Sequence, residues 1–251
     1  MRALITLLTD FGTADGYVAE MKGIILARAP EAVLVDVSHE LPSQDVEAGR
    51  LALARYWRRF PPGTIHLAVV DPGVGTERAP IAIASEERFL VGPDNGLLSP
   101  ALLVAGARVV RLPVQAIASP TFHGRDVFAP AAAMLATGAV LESLGEPLDE
   151  PVIRRTPEPH RLPDGGIAGV VITIDRFGNA ITNLLAARGG TIEVAGQELP
   201  IRRTYGDAPD GSPMALAGST GLIEIAIRNG SAAEALGLKR GVEVVHRRTG
   251  R

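Results

Sequence analysis

The sequence contains no cysteine, and this absence removes several kinds of chemistry at once. Without a thiol the chain cannot form a disulfide, use a thiolate nucleophile or hold a cysteine-ligated zinc. Aromatic residues are scarce at 4%. No apolar run reaches the roughly 18 residues that a transmembrane helix needs. The first apolar run ends at Asp10, so it predicts a strand rather than a signal peptide, and the expected location is the cytoplasm.

The charge balance also lacks a dominant sign. The 25 basic and 28 acidic residues give a formal net charge of −3, and Lys22 and Lys239 are the only lysines. A balance of this kind gives no reason to expect nucleic acid or an anionic membrane as a partner.

Hydrophobic residues make up 46% of the 251 positions, enough for a packed core. Residues 1–150 alternate between continuous apolar runs, typical of buried strands, and segments with apolar residues at helical spacing. The predicted strands are Ala3–Thr9, Ala32–Ser38, Thr64–Val70, Pro80–Ser85, Arg88–Val91 and Arg108–Leu112. The predicted helices are Tyr17–Ala29, a helix capped by Ser43 with an apolar stripe of Val46, Leu53, Ala54 and Trp57, and Asp126–Ala136. This order predicts an α/β domain with a mostly parallel sheet.

The composition and the hydrophobic pattern of the sequence change near Pro151. Residues 151–164 contain four prolines and are predicted to form a linker. Residues 165–251 then carry short alternating runs punctuated by Gly, Asn and Asp, which predict a small antiparallel β domain. The predicted strands are Val170–Ile174, Thr191–Val194, Leu199–Arg202, Gly221–Ile227 and Val242–Val245, with one short helix at Ser231–Leu238.

Polar residues in the first domain follow the predicted strands. They are Asp10 after the first strand, Asp36 and His39 after the second, Asp71 after the third, and Asp94 and Asn95 after a later one. Because ligands of α/β proteins bind at the carboxyl ends of the strands, several ionisable groups are expected to converge on one edge of the sheet. Five residues are interpreted as structural: Asp36, His39, His66, His160 and His246.

Several familiar signatures are missing, including the P-loop, HExxH and GxSxG patterns. The run Gly73-Val74-Gly75 is only a partial dinucleotide fingerprint, since Arg78 stands where its third glycine belongs. Composition and spacing therefore indicate an enzyme or binding protein for a small molecule that uses Asp, His and Arg, and go no further.

Five motifs follow one another along the chain and together resemble those of a known family: TDFGTADGY, DPGVGTER, GPDNGLL, FHGRDVFAPAA and IDRFGNAITN. The chain resembles the S-adenosyl-L-methionine (SAM) hydroxide adenosyltransferases, which hydrolyse SAM to adenosine and are related to the fluorinase and chlorinase. The resemblance implies an N-terminal α/β domain, a smaller C-terminal β-barrel-like domain, and a homotrimer that binds SAM between neighbouring subunits. It implies no cofactor and no metal, with SAM, adenosine and L-methionine as the ligands.

The resemblance also assigns roles to residues. The catalytic set falls on Asp71, Arg78 and His123. Asp10 matches the residue that holds the ribose hydroxyls. The other substrate-binding positions are Asp15 in the same loop, Phe122 beside His123, Asp175 for the methionine ammonium, Phe177 and Asn179 for the adenine, and Ser219, Arg228 and Asn229 for further contacts to methionine and adenine.

The chain departs from the halogenating relatives in an informative way. Asp71 stands where the fluorinase has tyrosine, and His123-Gly124 where it has a Tyr-Ser pair. A carboxylate repels a halide but accepts hydrogen bonds from water, so water is the expected nucleophile. The extra loop of the halogenating enzymes is also missing.

The chemistry of SAM fits this set of residues. Its leaving group is a neutral thioether, so neither a general acid nor a metal is needed to assist its departure. The remaining tasks are to place and activate a water molecule. Two assignments stay open: Asp71 orients the water and His123 accepts its proton, or the reverse.

Three other functions remain open at this stage. A metal-dependent phosphoesterase could use Asp10, Asp36, His39, Asp71, Asn95 and His123 as ligands. A sensor could bind SAM or adenosine without turnover. A halogenase could share the fold.

Overall fold

The computed structural model describes residues 2–186 and 189–248. The chain divides into two compact units at the bond between Arg154 and Arg155. Within the described ranges no helix combines the length and the apolar character needed to cross a bilayer.

The first unit is built around one seven-stranded sheet. Its strands are β1 (Leu4–Thr9), β2 (Val33–Ser38), β3 (Ile65–Val69), β4 (Pro80–Ser85), β5 (Arg88–Pro93), β6 (Arg108–Arg111) and β7 (Glu146–Pro147). Its α-helices are α1 (Tyr17–Arg28), α2 (Val46–Tyr56), α3 (Ser99–Leu102) and α4 (Ala129–Ala136). Apolar residues of α1 and α4 pack on one face of the sheet, and those of α2 and α3 pack on the other.

The strand order is β2-β1-β3-β5-β4-β6-β7. The α/β class is confirmed: β2, β1, β3, β5 and β6 run in the same direction, and β4 and β7 run opposite to them. Strands β2, β1, β3 and β5 are parallel, whereas the pairings β5–β4, β4–β6 and β6–β7 are antiparallel. The reason lies in the two-residue turn Glu86-Glu87, where both φ angles are positive. A turn of that form joins adjacent strands as a hairpin and so makes them antiparallel.

Four smaller expectations need correction. Strand β2 lies at the edge of the sheet and Val33 is 41% exposed, so this strand is not buried on both faces. Helix α2 is capped by Asp45, whose Oδ1 accepts a hydrogen bond from Ala48 N at 2.9 Å, rather than by Ser43. Ala54 is exposed on that helix. Before α4, residues Gly124–Phe128 form a π-helical turn instead of a regular α-helix.

Within the described residues, the second unit contains eight strands and one short α-helix. They are β8 (His160–Arg161), β9 (Ile167–Ile174), β10 (Ala180–Leu185), β11 (Thr191–Val194), β12 (Gln197–Arg202), β13 (Pro213–Ala217), β14 (Leu222–Ile227), β15 (Glu243–Arg247) and α5 (Ala232–Leu236). The order is β10-β14-β13-β12-β11-β15-β9-β8, and a further β10–β9 pairing closes β9 to β15 into a seven-stranded barrel. A barrel-like second domain is thus confirmed.

Three features of this unit were not predicted. Strands β10 and β13 are absent from the expected set, since Asn183 interrupts the apolar run of the first and Pro213 begins the second. Strand β8 lies inside the expected linker and pairs antiparallel with β9. One barrel pairing, β12–β13, is parallel, because the chain leaves the sheet between them through the helical turn Tyr205–Asp207.

Candidate active site

Asp71, Arg78 and His123 come together beyond the end of β3. Arg78 Nε donates a hydrogen bond to Asp71 Oδ1 at 3.0 Å, and Arg78 Nη2 donates to Asp71 Oδ2. Arg78 Nη2 also lies 3.2 Å from His123 Nδ1. A forked guanidinium–carboxylate pair of this kind fixes the orientation of both groups. The three residues that the resemblance assigns to catalysis are therefore in direct contact.

Loop geometry explains why the surrounding motif is rich in glycine. Gly75 has φ +76°, and a Cβ at this position would lie 2.3 Å from the carbonyl oxygen of Pro120. Glycine thus lets the loop after β3 approach the segment that carries His123. Asn95 Nδ2 donates to Val70 O at 2.9 Å and so holds the backbone immediately before Asp71.

Burial shapes the ionisation of the site. The side chains of Asp71 and Arg78 are 5% and 7% exposed. Burial raises the pKa of the Asp71 carboxyl above its usual range, although the Arg78 guanidinium opposes this shift. Burial, with Arg78 beside the ring, lowers the pKa of His123, so this imidazole is neutral at pH 7.

The contact with Arg78 also determines the tautomer of His123. A guanidinium can only donate hydrogen bonds, so Nδ1 is the acceptor and carries no proton. The ring proton of the neutral imidazole therefore sits on Nε2.

Asp71 and His123 reach the wall of a cavity of about 420 Å³ in the first unit. This volume lies within the range of about 300–1,000 Å³ that is typical of small-molecule sites. Three aromatic rings, Phe11, Tyr17 and Phe122, line it in edge-to-face contact, with Tyr17 and Phe122 centroids 5.2 Å apart. Glu20 and Arg125 add charged groups to the wall.

Phe11, Tyr17, Glu20 and Arg125 were not predicted as site residues. Three of the four could have been recognised from the sequence, because Phe11, Tyr17 and Arg125 lie inside the quoted motifs. Glu20 lies outside them. Tyr17 and Glu20 are three residues apart on α1, so they project from the same side of the helix.

Arg125 joins helix α1 to the segment that carries His123. Its Nη1 donates to Glu20 Oε2 at 2.8 Å, and its Nε donates to Asp126 Oδ1 at 2.7 Å. Asp126 Oδ2 in turn accepts a hydrogen bond from Ser119 N at 2.8 Å. The π-helical turn begins directly after His123, and such turns are frequent at functional sites.

The ribose-binding residues of the resemblance lie in the loop after β1. Asp10 is half-buried, and its Oδ2 accepts a hydrogen bond from Gln44 N at 2.7 Å. Asp15 is exposed. Neither residue is part of the cavity lining, although Phe11, the neighbour of Asp10, is.

In the barrel, Asp175 organises the turn between β9 and β10. Its Oδ1 accepts hydrogen bonds from the backbone nitrogens of Phe177 and Asn179, each at 2.9 Å, and its Oδ2 accepts from Asn179 Nδ2 at 3.0 Å. Phe177 projects from this turn and is 77% exposed. The turn therefore presents an aromatic ring to its surroundings beside a carboxylate of fixed orientation.

The remaining barrel residues lie around strand β14. Ser219 is exposed in the turn before the strand. Arg228 and Asn229 follow the strand, and both contact Asp210: Arg228 Nε lies 2.9 Å from Oδ1, and Asn229 Nδ2 lies 3.4 Å from Oδ2.

The proposed metal ligands do not form one group. Asp36 Oδ2 pairs with Lys22 Nζ at 2.6 Å, and Asp71 pairs with Arg78, so protein cations neutralise both carboxylates. In the part of the chain that the structure describes, no cluster of three His, Asp or Glu side chains is suited to a metal ion.

Fold and site together are those of an enzyme that acts on a small molecule. The model of the SAM hydroxide adenosyltransferase N-terminal domain matches residues 5–145, and that of the C-terminal domain of the same family matches residues 169–245. The chain belongs to this family, which confirms the resemblance carried by the five motifs.

Individual relatives agree with this assignment. The chain is 46% identical to the (R)-S-adenosyl-L-methionine hydrolase of Thermus thermophilus, over 96% of this chain and 98% of the relative. It is 31% identical to the fluorinase of Actinopolyspora mzabensis, over 97% and 96% of the two chains. A crystal structure of an uncharacterized conserved protein from Thermotoga maritima superposes with a TM-score of 0.89 at 32% identity, covering 97% of this chain and all (100%) of that one.

Proposed function

We propose that the protein hydrolyses SAM to adenosine and L-methionine by attack of water at the ribose C5′. The observation that carries the proposal is the buried Asp71–Arg78–His123 contact at the wall of the cavity. It is supported by family membership and by relatives named as SAM hydrolases.

In the proposed reaction the water oxygen forms a bond to C5′ while the C5′–sulfur bond breaks. The bonding electrons pass to sulfur, and methionine leaves as a neutral thioether. Holding water and substrate in line can contribute roughly 7–11 kcal/mol in favourable cases. The site therefore needs to orient one water molecule and accept one proton.

We assign the proton to Asp71 and the orienting hydrogen bond to His123. With its proton on Nε2 and Nδ1 engaged by Arg78, His123 donates to the water oxygen and has no free lone pair to act as a base. Burial raises the pKa of Asp71, which makes this carboxylate a stronger base than an exposed one. Arg78 keeps it ionised.

Substrate recognition is assigned by family membership. Asp10, with Asp15 close by, accepts hydrogen bonds from the ribose hydroxyls, and Phe122 forms part of the wall at the reacting carbon. On the barrel, Asp175 receives the methionine ammonium. The remaining barrel groups contact adenine and methionine: Phe177, Asn179, Ser219, Arg228 and Asn229.

We also propose a homotrimer with sites between neighbouring subunits, a property that family membership supports and that light scattering tests. Action in the cytoplasm stays a prediction, which cell fractionation tests.

The deciding experiment incubates the purified protein with SAM, EDTA and no halide, and follows adenosine and methionine by chromatography. Both products are expected in equal amounts. If SAM stays intact over many hours, the protein is a sensor and not a hydrolase. If turnover is lost with EDTA, a metal enzyme is favoured.

Two variants of His123 test the division of roles. The amide nitrogen of His123→Gln can still donate toward the water, so this variant is expected to keep more turnover than His123→Ala. Equal loss in both variants would instead favour His123 as the proton acceptor.

A further inference from the structure

A buried side-chain hydrogen bond connects the ends of β1 and β2 outside the catalytic set. Thr9 Oγ1 lies 2.8 Å from His39 Nδ1, and both residues are buried. His39 Nε2 lies 3.1 Å from Asp36 Oδ1. Since Nε2 faces a carboxylate, it carries the ring proton, and Nδ1 accepts a hydrogen bond from the Thr9 hydroxyl.

This pair of residues, the Thr9–His39 link, holds the loop that carries Asp10. Phe11 N donates to Thr9 Oγ1 at 3.2 Å, and Gly12 N donates to the His39 carbonyl oxygen at 2.7 Å. The backbone on both sides of Phe11 is therefore bound to Thr9 and His39. Asp10 stands at the base of this loop, and Phe11 lines the cavity.

We propose that His39 is a positioning residue for substrate binding. Through the Thr9 hydroxyl it fixes the segment Asp10–Gly12, so that the Asp10 carboxylate faces the ribose diol and Phe11 closes the cavity. This inference rests on the proposed function for the identity of the ligand, and it replaces the purely structural role that the sequence suggested for His39.

The same strand contains a matched pair without such a connection. Thr6 Oγ1 lies 2.8 Å from His66 Nδ1, and both residues are 0% exposed. His66 is surrounded by the rings of Tyr56, Trp57 and Phe60, away from the loop after β1. Thr6→Val thus removes an equivalent buried Thr–His hydrogen bond from β1 without touching Asp10 or Phe11.

Two amide substitutions of His39 distinguish its contact with Thr9 from its contact with Asp36. The Asn side chain reaches about as far as Nδ1, so His39→Asn can still accept from Thr9, whereas His39→Gln reaches toward Asp36 and loses Thr9. Thr9→Ser keeps the hydroxyl and Thr9→Val removes it.

The experiment measures adenosine affinity by calorimetry, the KM and kcat for SAM, and the thermal unfolding of each variant. Thr9→Val and His39→Gln are expected to weaken adenosine binding and raise the KM roughly tenfold, the size of one lost hydrogen bond to a charged site, with kcat changed less. Thr9→Ser and His39→Asn are expected to stay near the wild type. Thr6→Val should lower the Tm alone.

Either of two results would overturn the proposal. One is wild-type adenosine affinity in Thr9→Val and His39→Gln. The other is an equal loss in all variants including Thr6→Val, which would mean that general stability is responsible. Failure of the wild-type protein to hydrolyse SAM would contradict the proposed function instead, and the adenosine affinities would still test the link.

Discussion

The two units of the chain hold their polar groups in different ways. In the α/β unit, Asp71 and Arg78 lie in the loop between β3 and β4 and meet His123 from the segment before α4 in a buried cluster. In the barrel, Asp175 bonds to the turn in which it lies, and Phe177 is largely exposed beside it. A buried ion pair adds little net stability, because desolvation offsets its attraction. The first arrangement fits the catalytic role proposed for these residues, and the second fits the proposed role of Asp175 and Phe177 in substrate binding.

The largest expected effect comes from breaking the buried cluster. Asp71→Asn keeps the shape of the side chain but removes the base, so we expect kcat to fall by about 10²–10⁴. The measurement is single-turnover formation of adenosine, with SAM binding measured in parallel.

Asp175→Asn is the matched change in the barrel. It is expected to raise the KM for SAM and leave kcat nearly unchanged. A comparable loss of kcat in both variants would erase the distinction between the two units.

The second effect concerns stability and again arises from burial in the α/β unit. Burial lowers the pKa of His66 to about 4, with the nearby Arg88 charge adding to the shift. The unfolded chain takes up this proton near pH 6.5 and the folded chain only near pH 4. As the pH is lowered from about 6.5 to about 4, the free energy of unfolding therefore falls, by roughly 3 kcal/mol in total.

Denaturant unfolding at pH 7 and pH 4.5 measures this loss. His66→Gln should make the difference between the two pH values smaller. Thr6→Val, which removes the hydroxyl partner and keeps the imidazole, should lower stability at both pH values. An unchanged difference in His66→Gln would show that other groups account for the acid sensitivity.

A smaller effect is expected for variants that distinguish recognition of the ribose from recognition of the methionine half of SAM. We expect Asp10→Ala to weaken SAM and adenosine binding alike, by roughly tenfold, because the ribose is common to both ligands. Asp175→Ala is expected to weaken SAM and methionine and spare adenosine. Calorimetry with the three ligands checks both variants, and a loss confined to SAM in Asp10→Ala would contradict the ribose assignment.

The smallest effect is expected for the exposed ion pair of the barrel. The side chains of Arg228 and Asp210 are 45% and 64% exposed. Asp210→Ala should therefore change the free energy of unfolding by no more than about 1 kcal/mol. Denaturant unfolding measures the change, and a larger one would mean that Asp210 supports the barrel through more than this surface pair.

Much of the fold could be predicted because the relevant signals are local. The apolar runs that became β1 and β3 and the helical spacing that became α1 depend on neighbouring residues alone. The hairpin between β4 and β5 escaped notice because its turn is Glu86-Glu87 and lacks the usual Asn or Gly. Strand β13 was missed because it begins with Pro213.

The sequence by itself determined the family, the α/β and β-barrel classes, and which carboxylates follow which strands, since each of these depends on residue order and local pattern. Only the tertiary structure decided the mixed sheet, the contact of Arg78 with His123, and the lining of the cavity by Tyr17 and Glu20. It also decided that His39 reaches Thr9. These contacts join residues far apart in the chain, and their distances depend on strand order and on the course of loops, which no local pattern encodes.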